Sequence, residues 1–445
     1  MVITLFDYLL FPLYFLILFF IVLRKAEKYK GTILRKYFLN TFYIHIFGCV
    51  IHAMVLQYYY GSGDAFGYFD GGHFIKQSVF NSGKFIGVFF LDGQSLSQLP
   101  GTENMSAYAY GNLFATSSLS AMKFMGFFSI FSFSHFLINA LFFGFISFIG
   151  TWKLFCVFND LSKRSIEKPL ANFIIFTPTI WFWGSGAGKD SIALGFLGIL
   201  LFSLYQLFIK KERIIINIIY AIISLYLLSG IKVALIGIVS VSIGAYFILN
   251  IIQKSKNILL RFTLIIIAIA GLIGFIFISI NAINDSLEET AQLIQSNIEN
   301  YSIAESEESK GGFAPLNFDI SPVGILIATP ATVFSTLYRP FLWETRKPIM
   351  FLSALESFIM LCSFLYMLFK SKFFGFFKTL LTDPCVMFCF VFCTLMAMIV
   401  GFTTFNFGTL VRYRLPLLPF YIFMILLINN HIKSNKNTSD KAILG

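Results

Sequence analysis

Charge is scarce in this chain. Only 12% of its 445 residues are Asp, Glu, Lys or Arg, against about 25% in an ordinary soluble domain. That scarcity excludes a solvated surface over most of the sequence. The few charges are packed into short segments, and the stretches between them are nearly bare of charge. Histidine is also sparse, at five residues. His45, His52 and His135 stand alone near helix ends and read as packing or local hydrogen-bonding residues. No compact Asp/His/Cys ligand set appears. No cofactor is therefore read from the sequence, and a divalent metal has no ligand set to support it.

The six cysteines fall at 49, 156, 362, 385, 389 and 393, all in or beside apolar runs, so no disulfide framework is implied. Cys385, Cys389 and Cys393 recur every four residues on one helix face and read as small packing residues. A cleavable leader is missing too. "MVITLFDYLLFPLYFLILFF" has no basic n-region and no small-residue cleavage site, and reads as a retained first span.

What the chain has in abundance is apolar sequence, 57% of its residues. Runs of about 18 or more apolar residues read as membrane-spanning helices. The fold expected is an all-α polytopic membrane protein, one domain over 1–445. About eleven spans are predicted, at 3–23, 38–57, 134–152, 170–183, 191–209, 214–230, 233–252, 260–281, 350–369, 384–402 and 413–430. With the N-terminus outside, the inside segments hold 22 of the 33 basic residues but only 6 of the 22 acidic ones. The positive-inside rule therefore puts the N-terminus outside and the C-terminus in the cytoplasm. The net charge of +11 then faces anionic lipid, which removes the case for nucleic-acid binding.

The eye is drawn to "WFWGSGAGKDS", 181–191, as a phosphate-binding P-loop. The spacing refuses it. The first glycine belongs at 183, where Trp183 stands, and Asp190 holds the place of the magnesium-binding hydroxyl. Lys189 and Asp190 sit instead at the outer end of a helical hairpin. One helix rises to Trp183, "GSGAG" turns the chain, and a second descends from about 191. Such a turn offers backbone N–H groups and a positive helix N-terminus at the membrane surface, which suits a phosphate or pyrophosphate. A snorkelling lysine paired with Asp190 is the structural alternative.

Ionisable groups are almost absent from the span centres, Asp7 and Glu356 lying nearer the outer ends, and no internal repeat is evident. Ion-coupled transporters carry mid-membrane charge and repeats. Here the polar clusters gather on the outside, in two long segments, 58–133 and 282–349. Both hold amphipathic stretches such as "SSLSAMKFMGFFSIF", predicted to lie flat in the interface. The acidic stretch at 301–316 reads as a mobile connector.

The first segment opens "YYYGSGDAFGYFDGGHF". Asp64 follows a Gly-Ser-Gly turn and lies among aromatic residues suited to a sugar ring. A carboxylate in such a half-dry site is a candidate general base. Capping of a turn or helix is the structural alternative. Asp70 and His73 follow at helical spacing as further catalytic candidates. Lys189, Lys232, Arg339, Arg412 and Arg414 form an outward-facing basic set suited to phosphate. Arg339 and Glu344 also suit a structural ion pair, and of Arg412 and Arg414 one is expected to serve function. An acid beside several cations at a membrane face suits transfer from a lipid-linked phosphate donor.

These residues bring a resemblance into view. The layout resembles the polytopic glycosyltransferases of the GT-C superfamily and the Wzy/EpsG-type polysaccharide polymerases. "YYYGSGDAFGYF" occupies the place of their "Ry-GtD-x-x-Y" motif, giving Gly63, Asp64 and Tyr68. "GAGKDSIALGF" is similar to their "N-x-x-Rq-x-iA" stretch, with Lys189-Asp190 in place of Arg-Gln, and "VRYRLPLLPF" is similar to their last span. "YRPFLWE" has no counterpart there. The resemblance implies a catalytic base at Asp64; Tyr68, Lys189, Asp190, Lys232, Arg339, Glu344, Arg412 and Arg414 stand as the substrate-binding candidates. The resemblance also implies an undecaprenyl-linked sugar donor, a glycan acceptor and a bacterial inner membrane. Two other classes remain beside it: a transporter or flippase for a lipid-linked glycan, and a non-catalytic envelope scaffold.

Overall fold

The computed structural model describes residues 2–256, 322–345, 348–404 and 406–443, with single positions at 259, 263, 266, 271 and 274. Apart from those positions, the span read at 260–281 lies outside the described residues. So do 282–321 of the second outer segment, with the connector at 301–316.

The described residues are helical and include no strand. Eight of their helices are long and apolar enough to cross a membrane, so this is a polytopic membrane protein. Sequence and structure differ at three other expected spans. The run 170–183 divides into α8 (Glu167–Phe176) and α9 (Pro178–Phe182). Pro178 forces Thr177 out of the helical region, to ψ 118°, so neither piece reaches spanning length. The runs 214–230 and 233–252 form one helix, α11 (Ile214–Lys254), interrupted only at Lys232 (φ −147°, ψ 73°). Unbroken, its 41 residues would be about 60 Å long, twice a ~30 Å hydrocarbon core. The interruption divides it into two lengths of bilayer scale.

The chain gathers into two compact units, one of residues 1–160 and 171–236, the other of 161–170 and 237–445. The first contains α1 (Leu5–Ala26), α2 (Ile33–Met54), α3 (Asp64–Asn81), α4 (Gly93–Ser97), α5 (Ala107–Asn112), α6 (Thr116–Phe131), α7 (Phe136–Leu161) and α10 (Lys189–Tyr205). Aromatic rings fill its core. Phe148 of α7 lies 5.2 Å from Phe38 and 5.5 Å from Phe42 of α2, centroid to centroid. Between α7 and α10 glycines let the backbones touch: a Cβ on Gly198 would lie 2.0 Å from the Gly150 carbonyl oxygen. Small residues serve this purpose in lipid, where no hydrophobic force drives helices together.

Hydrogen bonds define two ends of this unit. At one, the Gln57 side chain at the end of α2 accepts from Val2 and Ile3 N–H at 3.1 and 2.9 Å. The buried Asp7 carboxylate accepts from Thr4 N–H, and from Leu137 N–H at the start of α7, each at 2.9 Å. At the other end, Trp152 donates to the Tyr29 hydroxyl at 3.0 Å and Lys210 pairs with Asp160 at 2.7 Å.

Between α2 and α7 the first long segment folds as a series of helices. α6, the stretch read as an interfacial helix, packs on α3. A Cβ on Gly71 would lie 2.5 Å from Met122 Sδ, and one on Gly72 2.5 Å from Met125 Cβ. α6 therefore buries Met122, Met125 and Gly126.

The second unit holds α12 (Pro322–Tyr338), α13 (Pro348–Lys370), α14 (Lys372–Thr382), α15 (Pro384–Thr403), α16 (Phe407–Tyr413) and α17 (Leu418–Ile443). Phe392 of α15 and Phe420 of α17 stack with centroids 3.7 Å apart. Thr336 of α12 donates to the Ala397 carbonyl at 2.9 Å. Cys389 and Cys393 are buried in this packing, and the Cys393 thiol donates to the Leu417 carbonyl at 3.7 Å.

Candidate functional site

α2 ends in a π-helical turn, Val55–Tyr60, and Gly61 then takes a left-handed conformation (φ 69°) that only glycine adopts at no cost. This reversal starts α3 at Asp64. An acid in the first turn faces the positive end of the helix dipole. Asp64 Oδ1 accepts from the Tyr108 hydroxyl at 2.9 Å. The Tyr108 ring lies over Gly67, where a Cβ would be 2.1 Å from Cδ1. Asp70 Oδ2 accepts from Ser106 N–H at 2.8 Å. Both carboxylates thus hold the segment carrying α5 against α3.

One turn after Asp64, on the same face of α3, Tyr68 is buried at 2% exposure. The Lys189 ammonium lies 5.5 Å from its ring centroid. Lys189 Nζ also donates to Ser117 Oγ at 3.2 Å and Ser118 Oγ at 3.5 Å, in the first turn of α6. Next to it Asp190 pairs with Lys232 at 2.6 Å. A Cβ on Gly230 would lie 2.6 Å from Ser120 Oγ, so α11 runs close past α6 just before Lys232 breaks its helical geometry.

The Gly-rich turn is seated on α2. Ser185 Oγ is 2.7 Å from His45 Nδ1, and a Cβ on Gly186 would lie 2.7 Å from the His52 ring. His45 and His52 are therefore packing partners of this turn, and Gly186 is small because an imidazole lies against it. Gly188, the N-cap of α10, supplies no side-chain acceptor to the first N–H groups of that helix.

Asp64 and Tyr68 thus share one face of α3, Lys189 lies against Tyr68, and Asp190 holds Lys232, all within the first unit. His73 does not share that face. Nine residues after Asp64 it faces the opposite side of α3, 3.2 Å from Ser134 Oγ and 2.9 Å from Gln77. Lys76 donates to the same Ser134 hydroxyl at 2.8 Å. Partial burial, and then the neighbouring ammonium of Lys76, push the His73 pKa down.

The other candidates lie in the second unit. Arg414 is fully buried, with no exposed surface. It donates to the carbonyls of Thr336, Leu337 and Arg339 at 3.3, 3.3 and 2.8 Å, and to Ser357 Oγ at 2.8 Å. Glu356 lies 3.7 Å away. These contacts satisfy carbonyls at the end of α12. Arg339 pairs with Glu344, its Nε 2.9 Å from Oε1, and its guanidinium is 5.0 Å from the Phe407 ring. Glu344 in turn accepts from Phe341 N–H at 2.8 Å. Arg412 is half-buried beside the Tyr413 ring, 5.6 Å from its centroid.

Tyr108, Ser117 and Ser118 were not among the sequence candidates. Tyr108 meets a residue 44 positions away, and nothing in "SAYAYGN" marks that pairing. Among the described residues no three His, Cys, Asp or Glu side chains gather as a metal would need. No protein-family model, curated protein or solved structure matches the chain.

Proposed function

We propose that the chain is a membrane-embedded glycosyltransferase or polysaccharide polymerase. Its donor would be a sugar carried on a polyprenyl phosphate or diphosphate, used at the outer face of a bacterial inner membrane in cell-surface glycan assembly. The observation that carries this reading is the pairing of an acid with cations at one end of a membrane-spanning unit. Asp64 stands one turn before Tyr68 on the same face of α3, and the Lys189 ammonium at the start of α10 lies 5.5 Å from the Tyr68 ring centroid.

In this reading the Asp64 carboxylate takes the proton of an acceptor hydroxyl. The acceptor oxygen bonds to the anomeric carbon as the sugar–phosphate bond breaks, and the lipid phosphate leaves with the electron pair. Lys189 and the N–H groups at the start of α10 meet the developing charge. Lys232, held on Asp190, lines the same region. The exposed Tyr58, Tyr59 and Tyr60 next to Asp64 suit a sugar face and the membrane boundary.

The test is replacement of the gene by Asp64→Asn and, separately, Lys189→Ala, with protein level in the membrane as control. Loss of long glycan, with short lipid-linked units accumulating outside, is the expected result. Removing a general base and a charge-stabilising donor each costs about 100-fold or more in rate. Accumulation of those units inside would move the reading to a flippase. Normal glycan at normal protein level in both variants would refute the site.

A further inference from the structure

α14 joins α13 to α15, and both of these are long and apolar enough to cross a membrane. It therefore lies at a membrane face. Its 11 residues span about 16 Å, far short of a ~30 Å core. The arrangement of its side chains says how it lies. Taken at about 100° per residue, the helix has three sectors. Phe376 and Leu380 face the protein at 3% and 5% exposure, Phe376 with its ring 5.7 Å from that of Phe364. Beside them runs an apolar strip of Phe373, Phe377, Leu381 and Phe374, the last 85% exposed. The remaining arc carries Lys378, Thr382, Gly375, Thr379 and Lys372.

An exposed strip of three phenylalanines and a leucine is unfavourable in water by about 25 cal/mol per Å² of apolar surface. Phe369 at the end of α13 is likewise 78% exposed. Lys378 borders the strip, Lys372 stands at the far edge of the polar arc, and the helix carries no acid. The acid that follows, Asp383, caps α15 through Cys385 and Val386 N–H and pairs with His431 at 2.5 Å. The cations therefore face outward with no carboxylate on the helix to answer them.

We infer that α14 lies flat in the bilayer interface, with Phe373, Phe374, Phe377 and Leu381 among the upper acyl chains and Lys372 and Lys378 on anionic phospholipid headgroups. An apolar strip next to the protein-facing side and a basic arc opposite form the pattern of an interfacial amphipathic helix. This surface is independent of the glycosyl-transfer reading.

The test uses the full chain in lipid nanodiscs. Phe374→Trp adds one indole to the four native tryptophans, and the difference emission reports its depth. In phosphatidylcholine brominated near the headgroup end of the chain, quenching should be at least twice that with bromine near the methyl end. In nanodiscs mixing phosphatidylcholine and phosphatidylglycerol, Lys372→Gln with Lys378→Gln should lower the phosphatidylglycerol retained on the extracted protein, read by native mass spectrometry. A fivefold or greater loss is expected, since each cation near the surface contributes about 1 kcal/mol. Water-like, unquenched emission from the new tryptophan would overturn the placement. Quenching that falls as protein concentration rises would mean that a second copy covers the strip, and would overturn it too. Shallow quenching with unchanged phosphatidylglycerol retention would overturn the headgroup assignment.

Discussion

Tyr108 joins two features of α3 that the sequence shows only separately. Its hydroxyl donates to Asp64, and its ring needs the bare Cα of Gly67. A hydrogen bond to a charged group contributes about 1.5–3 kcal/mol. If Asp64 is the base, Tyr108→Phe should slow glycan extension about tenfold or more while leaving the protein level unchanged. Gly67→Ala should do the same by a different route. A methyl 2.1 Å from the ring must push Tyr108 aside, although its own hydroxyl is intact. Glycan chain-length distribution reads both. If Tyr108→Phe matched the parent and Gly67→Ala did not, the ring's packing would be what matters and the hydroxyl's bond to Asp64 would not. On the opposite face, His73 binds its proton less readily in the folded chain than the ~6.5 of a free imidazole. The unfolded chain therefore takes up a proton that the folded one resists, and the packing of α3 against Ser134 loses stability as pH falls below about 6.5. The protection factors of α3 amides, that is exchange relative to the intrinsic rate at each pH, should fall in that acidic window in the parent and vary less with pH in His73→Gln.

At the level of helices, one arginine joins three elements. Arg414, just after α16, holds the carbonyls that end α12 and reaches Ser357 and Glu356 on α13. Removing one partner of a buried charge pair costs about 3–5 kcal/mol. Arg414→Met should therefore lower the thermal transition of the detergent-solubilised protein. Arg414→Lys should recover little, because an ammonium cannot reproduce the planar fork. Arg414→Met with Glu356→Gln should recover part, because the buried carboxylate that faced the arginine is then neutral. Long apolar runs were legible in the sequence because bilayer thickness sets their length, and the helices at 5–26, 189–205 and 384–403 lie where hydropathy put them. Three things were not legible. Lys232 marks a break, but "LSGIKVAL" does not say whether one residue or a loop makes it. "SSLSAMKFMGFF" has the look of an interfacial helix because the glycines of α3 that accept its methionines are about 50 residues away. Arg412 and Arg414 look alike in "VRYRLP", and only packing buries one of them fully and leaves the other half-buried.

For the first unit as a whole, the basic segments and the candidate site lie at opposite ends. Tyr29, Trp152, Asp160 and Lys210 meet at one end, next to the basic stretch 24–37, and Gln57, Asp7 and the start of α3 meet at the other. A lipid-linked donor at the outer face therefore requires the basic end to be cytoplasmic, as positive-inside charge bias requires. Cysteine labelling in intact cells tests this directly. Ser106→Cys, in the exposed segment held by Asp70, should react with a membrane-impermeant maleimide. Lys30→Cys, on the short exposed turn between α1 and α2, should react only after the membrane is opened. The exposed native Cys362 is replaced by serine in both to remove its background. The reverse pattern would put Asp64 and Lys189 in the cytoplasm, beside nucleotide-activated sugars, and an outer-face transferase would no longer be tenable whatever the Asp64 variants did to the glycan. The expected pattern would leave the donor's phosphate only one approach to Lys189, from the outer leaflet. Loss of glycan in Lys189→Ala would then implicate that leaflet's lipids directly.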